Sequence, residues 1–143
     1  NPKKEKGDLA AVMKSSDAFI GVSSRGLVSS KMIASMGKNP IVFAMANPDP
    51  EITVEEAKSG GAYIIGTGRS DFPNQINNVL AFPGVFRGVL DIRAKQVTEA
   101  MKLAAAVALA KLVKYPNVEK IIPGVFDEGV FEAVAAAVKN CGK

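Results

Sequence analysis

The sequence predicts an α/β fold built on a parallel sheet, and three observations carry that expectation. Residues 18–22, 41–46 and 62–66 are short apolar runs with no charged residue inside them. Segments with helical spacing separate them. Each run ends in or gives way to small or amide residues, Gly21 and Ser23 at the first, Asn47-Pro48 at the second, Gly66 and Gly68 at the third. Continuous runs of this kind read as parallel strands buried by helices on both faces of a sheet. Three strands supply too few neighbours for that burial, so the sheet is expected to be part of a larger one.

Taken in order, residues 8–14 (DLAAVMK) predict a short helix. The first strand follows at 18–22. Residues 29–36 return to helical spacing through Met32, Ile33 and Met36, and Gly37 stops them before Asn39-Pro40 turns the chain. After the second strand, Thr53 is expected to cap a helix, with Glu56 three residues on completing a capping box. Gly60-Gly61 closes that helix and the third strand follows. Residues 93–114 predict one long helix of about 30 Å, with Val97, Met101, Ala104, Ala108 and Leu112 on its inner stripe. A last helix is expected over 128–139, capped by Asp127, with Val130, Val134 and Val138 facing inward. The tetrapeptide PGVF occurs at 83–86 and 123–126, and shared turn chemistry ahead of a helix is the expected reason.

Composition narrows the chemistry. The 143 residues suffice for a core of their own, and a net charge of +4 is modest. Lys3, Lys4 and Lys6 form the only basic cluster, with no aromatic or Gly-rich partner, so no nucleic acid is expected as a ligand. No apolar stretch is long enough to cross a bilayer, and residues 1–8 are polar, so neither a membrane span nor a secretory leader is expected. The single cysteine, Cys141, suits a reducing compartment. With no histidine there can be no Ser-His-Asp triad, Cys-His pair or His-ligated zinc. Asp17, Asp49 and Asp71 stand on separate segments without metal-ligand spacing and are expected to be solvated or capping.

The stretch GTGRSDFPNQINNVLAFPG, residues 66–84, is the least ordinary part of the chain. Gly66-Thr67-Gly68 imitates the start of a dinucleotide fingerprint, but Asp71 stands where the third glycine belongs, so that reading fails. Asn74, Asn77 and Asn78 lie among apolar residues and are expected to be partly buried, bonded either to local backbone or to a ligand. An amide both donates and accepts and does not titrate, which suits a site that holds an acid beside a nicotinamide. Ligands of open parallel sheets bind beyond the carboxyl ends of the strands, where Gly21, Asn47 and Gly66 fall.

Four stretches, FIGVSS followed by a glycine (from Phe19), PIVFAMANPDPEIT and EEA (40–57), GTGRSDFPNQINNVLAFPGVFRGVLDIRAK (66–95) and MKLAAAVALA with IIPGVFD (101–127), together resemble the C-terminal part of bacterial and archaeal malic enzymes. The resemblance runs from about residue 8 to the end of the chain and departs at Arg25, where proline is expected. It implies the second half of a Rossmann-like doubly wound parallel sheet of about three strands, residues 1–92, with C-terminal helices, 93–143, packing on it. It implies oxidative decarboxylation of L-malate to pyruvate and CO2, with NAD or NADP and a Mg or Mn ion, by a cytoplasmic homodimer. Asn47 and Asn78 would approach malate and the nicotinamide, Asn77 would lie beside the cofactor, and Gly21, Val22 and Ser23 would border the dinucleotide cleft. The family's Tyr acid, Lys base, metal carboxylates, malate-binding Arg and first Gly-rich turn find no match. No catalytic or metal-ligating residue is therefore expected here, and the chain alone is expected to be inactive. The alternatives are a non-catalytic nucleotide-binding module and an interaction fragment that associates through residues 93–114.

Overall fold

The computed structural model describes residues 6–141. The chain forms two compact units, one running to Pro73 and the other beginning at Asn74. The expected boundary at 92/93 lies inside the second unit.

The first unit alternates helices and strands: α1 (Leu9–Met13), β1 (Ala18–Gly21), α2 (Ser30–Ala34), β2 (Ile41–Ala44), α3 (Val54–Ser59) and β3 (Ile64–Thr67). The strands pair in parallel, as the sequence predicts, and lie in the order β1-β2-β3. Local chemistry sets the helix starts. Asp8 and Ser29 accept hydrogen bonds from the amides of Ala11 and Met32, and Thr53 and Glu56 form the expected capping box. In register, Phe19, Val42 and Ile65 point to one face of the sheet, where they meet Met13, Ile33 and Ala57 from the three helices. Val42 and Ala57 are fully buried. Burial of the apolar runs is therefore one-sided within this unit. β1 is an edge strand, and Ile20 on the other face is 66% exposed.

The second unit contains a 3-10 turn (Asn78–Leu80), α4 (Phe82–Asp91), α5 (Glu99–Leu112) and α6 (Val130–Cys141). The sequence does not predict α4. Pro83 sits in its first turn, where a missing N–H costs nothing, and the first PGVF is thus helical while the second is a loop. Shared turn chemistry does not explain the echo. The long helix expected over 93–114 is also corrected. Arg93 is left-handed (φ 50°), and Thr98 caps the helix at Met101 N, so α5 has 14 residues, about 21 Å. Its buried seam is Met101, Ala105 and Leu109, while Val97 and Leu112 are exposed. The inner face of α6 is Val130, Val134 and Val138, as expected.

Asp127 does not cap α6. Its carboxylate accepts from the Gly124 amide (3.0 Å) and pairs with Lys120 (3.2 Å). The Gly124 amide, and after it Lys120, holds this carboxyl below the usual aspartate range. A lowered folded pKa contributes stability above the unfolded value of about 3.9, and the contribution disappears as pH falls through the folded value. Asp127→Asn is expected to be less stable than wild type at pH 7, with the difference shrinking as pH falls below the unfolded aspartate value of about 3.9. Urea unfolding across that range checks this, and a difference undiminished in acid would contradict it.

Candidate functional site

At the carboxyl end of β1 the chain leaves the sheet through Val22, Ser23 and Ser24, all exposed. At the end of β2 it leaves through Ala46 and a cis Asn47-Pro48 peptide. What joins these two exits is Glu51, a residue that sequence reasoning missed. Its side chain is completely buried. Oε1 accepts the Ser23 amide at 2.7 Å and Oε2 accepts the Ala46 amide at 3.1 Å. Its own backbone carbonyl accepts from Val28 (3.0 Å), and Gly26 donates to the Pro50 carbonyl (3.3 Å). A carboxyl taken out of water needs such partners, because its burial unpaired would be strongly unfavourable.

Gly21 makes room for this group. A Cβ there would lie 2.5 Å from the Glu51 carboxyl carbon. The absent side chain thus has a structural explanation within the first unit. Arg25, the departure from the family pattern, reaches Asp49 at 3.2 Å across the surface and links the same two loops. The signal for Glu51 was available in the sequence: a carboxylate between Pro50 and Ile52, just beyond a buried strand, opposite a strand that ends in glycine.

Asn47 is exposed, and its side chain makes no hydrogen bond among the described residues. At the end of β3, Thr67 is buried and Arg69 grips Asp71 with two hydrogen bonds of 2.9 and 2.6 Å. The guanidinium lies 5.7 Å from the centre of the Phe72 ring. Hydrogen bonding to Arg69 lowers the Asp71 pKa, so the pair stays ionised at neutral pH. Arg25, Asp49, Thr53, Arg69 and Phe72 line a cleft of about 410 Å³ in this unit.

In the second unit the three asparagines part company. Asn74 alone is buried: its amide donates to the Val118 carbonyl and its oxygen accepts from the Ile121 amide, each at 2.9 Å. It is a backbone clamp, and it occupies the left-handed region (φ 56°) that asparagine tolerates well. Asn77 and Asn78 are exposed, against the expectation of partial burial. The reason is local. The 3-10 turn buries Leu80, while Asn77 as its cap and Asn78 as its first residue face outward. Asn77 caps that turn by accepting from Val79 N (3.0 Å), which leaves its NH2 group free of that bond. The Asn78 side chain has no hydrogen-bond partner among the described residues.

Asn74→Ala is expected to lose about 2–4 kcal/mol of stability. It removes both hydrogen bonds of a buried side chain, to the half-exposed Val118 carbonyl and Ile121 amide, and places alanine at positive φ. A urea midpoint equal to wild type would contradict the clamp.

Among the described residues no group of three or more carboxylates or cysteines could hold a metal ion, and no helix is long and apolar enough to cross a membrane. Tyr63 and Tyr115 are 53% and 88% exposed, on different units.

The sequence profile of a family described as the NAD-binding domain of malic enzyme matches residues 2–141. The chain is 53% identical to a bifunctional malic/malolactic enzyme of Bacillus subtilis, across 96% of this chain and 34% of that protein. It is 47% identical to an NADP-dependent malic enzyme of Rhizobium meliloti, across 91% of this chain and 19% of that one. The structure superposes on an NAD-dependent malic enzyme of Thermotoga maritima with a TM-score of 0.93 at 45% identity, covering 97% of this chain and 36% of the other. The malic enzyme of Entamoeba histolytica gives 0.93 at 44% identity, covering 98% and 29%. The chain thus spans about a third or less of the length of these relatives.

Proposed function

Because the chain belongs to the family of malic enzyme NAD-binding domains, we propose that it is part of an enzyme that oxidatively decarboxylates L-malate to pyruvate and CO2 with reduction of NAD or NADP. The observation that supports the proposal is that Asn47 in the first unit and Asn78 in the second each expose a side-chain amide not committed to the described residues. Each can donate to a carboxylate of malate without adding charge. The dinucleotide, when bound, takes the hydride released from malate C2. Gly21, Val22 and Ser23 would border it, and the NH2 of Asn77, which is not used in the cap to Val79, could donate to it.

The residues present fit a positioning role and no other part of the reaction. Among the described residues no carboxylate cluster suits a divalent cation. Ligands for Mg or Mn, and the acid and base, belong to portions of the enzyme beyond this chain. The intact enzyme is proposed to be a cytoplasmic homodimer, in line with the family resemblance.

The purified intact protein, given L-malate, a divalent ion and NAD or NADP, is expected to form one pyruvate and one CO2 per dinucleotide reduced. Folded protein that reduces neither dinucleotide with malate would overturn the proposal.

A further inference from the structure

Glu51 has no part in the reaction as described, yet it is the one acidic side chain buried completely among the described residues, and both its oxygens are used. Its two partners are the amides just past β1 and β2. Ser23 is exposed and lies outside every helix and strand. Its amide direction is therefore set by Glu51 and not by the sheet. Oε1 takes the shorter of the two bonds. Hydrogen bonds to a carboxylate are about twice as strong as neutral ones, which suits a brace on a segment with no ladder of its own. The cost of burying a carboxyl here would be unrewarded by packing alone, since an apolar side chain of similar size fills such a site more favourably.

We propose that Glu51 is a positioning residue for the dinucleotide. Its carboxylate fixes the loop 22–24 in the conformation that borders the cofactor. This rests on the reading above that the β1 exit lines the dinucleotide site. Gly21 belongs to the same device, because any side chain there would displace the carboxyl.

The test uses the intact enzyme and reads dinucleotide binding by titration calorimetry. Glu51→Gln replaces one acceptor oxygen with an NH2 that faces a backbone N–H. The Kd for the preferred dinucleotide is expected to rise about tenfold or more. Gly21→Ala is expected to reproduce the rise. A merely structural role would lower the thermal midpoint and leave the Kd of the folded fraction unchanged, and that result would overturn the proposal. Residue-resolved amide exchange on the wild-type enzyme tests it without any variant. The Ser23 amide is expected to be protected about a hundredfold or more despite its exposed loop, and free exchange there would overturn the brace. Wild-type protein that binds dinucleotide but does not oxidise malate sinks the functional reading alone; wild-type protein that binds neither NAD nor NADP overturns both.

Discussion

Asn78→Asp in the intact enzyme is expected to lower kcat/KM for malate by more than about a hundredfold. Losing one hydrogen bond to a charged group, as in Asn78→Ala, removes about 1.5–3 kcal/mol, or roughly ten- to a hundredfold. Aspartate is nearly the same shape but cannot donate at neutral pH, and it sets a second negative charge beside the carboxylate of malate. Two like charges about 4 Å apart near a protein surface repel by roughly 1–4 kcal/mol. The order Asn, then Ala, then Asp is therefore the informative outcome. Because the wild-type amide is exposed and makes no bond to the described residues, neither substitution should disturb the fold. Steady-state kinetics on variants of matched thermal midpoint check this, and wild-type values in Asn78→Asp would remove Asn78 from the site.

The second large effect falls on packing. Gly84 and Gly88 are buried in α4, four residues apart, against α6. A Cβ at 84 would lie 2.7 Å from the Val134 Cβ and 2.9 Å from the Phe131 carbonyl oxygen. One at 88 would lie 2.7 Å from both the Ala135 carbonyl oxygen and the Val138 Cβ. Helix propensity alone favours alanine over glycine by about 1 kcal/mol per site. The contacts are with backbone and with wholly buried valines, which cannot swing aside, so overpacking outweighs propensity. The double variant Gly84→Ala/Gly88→Ala is expected to lose about 2–5 kcal/mol, less than additively since both sites share one interface. An increase in the urea midpoint would mean that the two helices do not approach this closely.

These two cases mark how far the sequence could be read. Features set by near neighbours in the chain were legible. Thr53 and Glu56 announce their capping box within four residues, and the apolar runs announce the three parallel strands. The inner valines of α6 follow from spacing alone. What failed was set by contacts distant in sequence. Pro83, Gly84 and Gly88 look like loop residues until α6 lies against them, and α4 was therefore hidden. Thr98 falls inside the helix that spacing predicts, although as an N-cap it starts α5 and moves its buried seam. Glu51 carries only a local hint in its apolar flanks, and its role stays hidden because its partners Ser23 and Ala46 lie on two different strand exits. The asparagines show the same division. Asn74 needed Val118 and Ile121 before its clamp could be seen, whereas the exposed amides of Asn77 and Asn78 follow from a turn that the sequence did not reveal.

On the proposed function, this chain's amides position malate and dinucleotide, and proton transfer falls to residues elsewhere in the enzyme. The pH profile of kcat/KM for malate in Asn78→Ala tests that division most directly. An amide does not titrate, so the whole profile should drop by about ten- to a hundredfold with both limbs where wild type has them. A limb that moves or vanishes in this variant, or a profile that superimposes on wild type, would contradict the account.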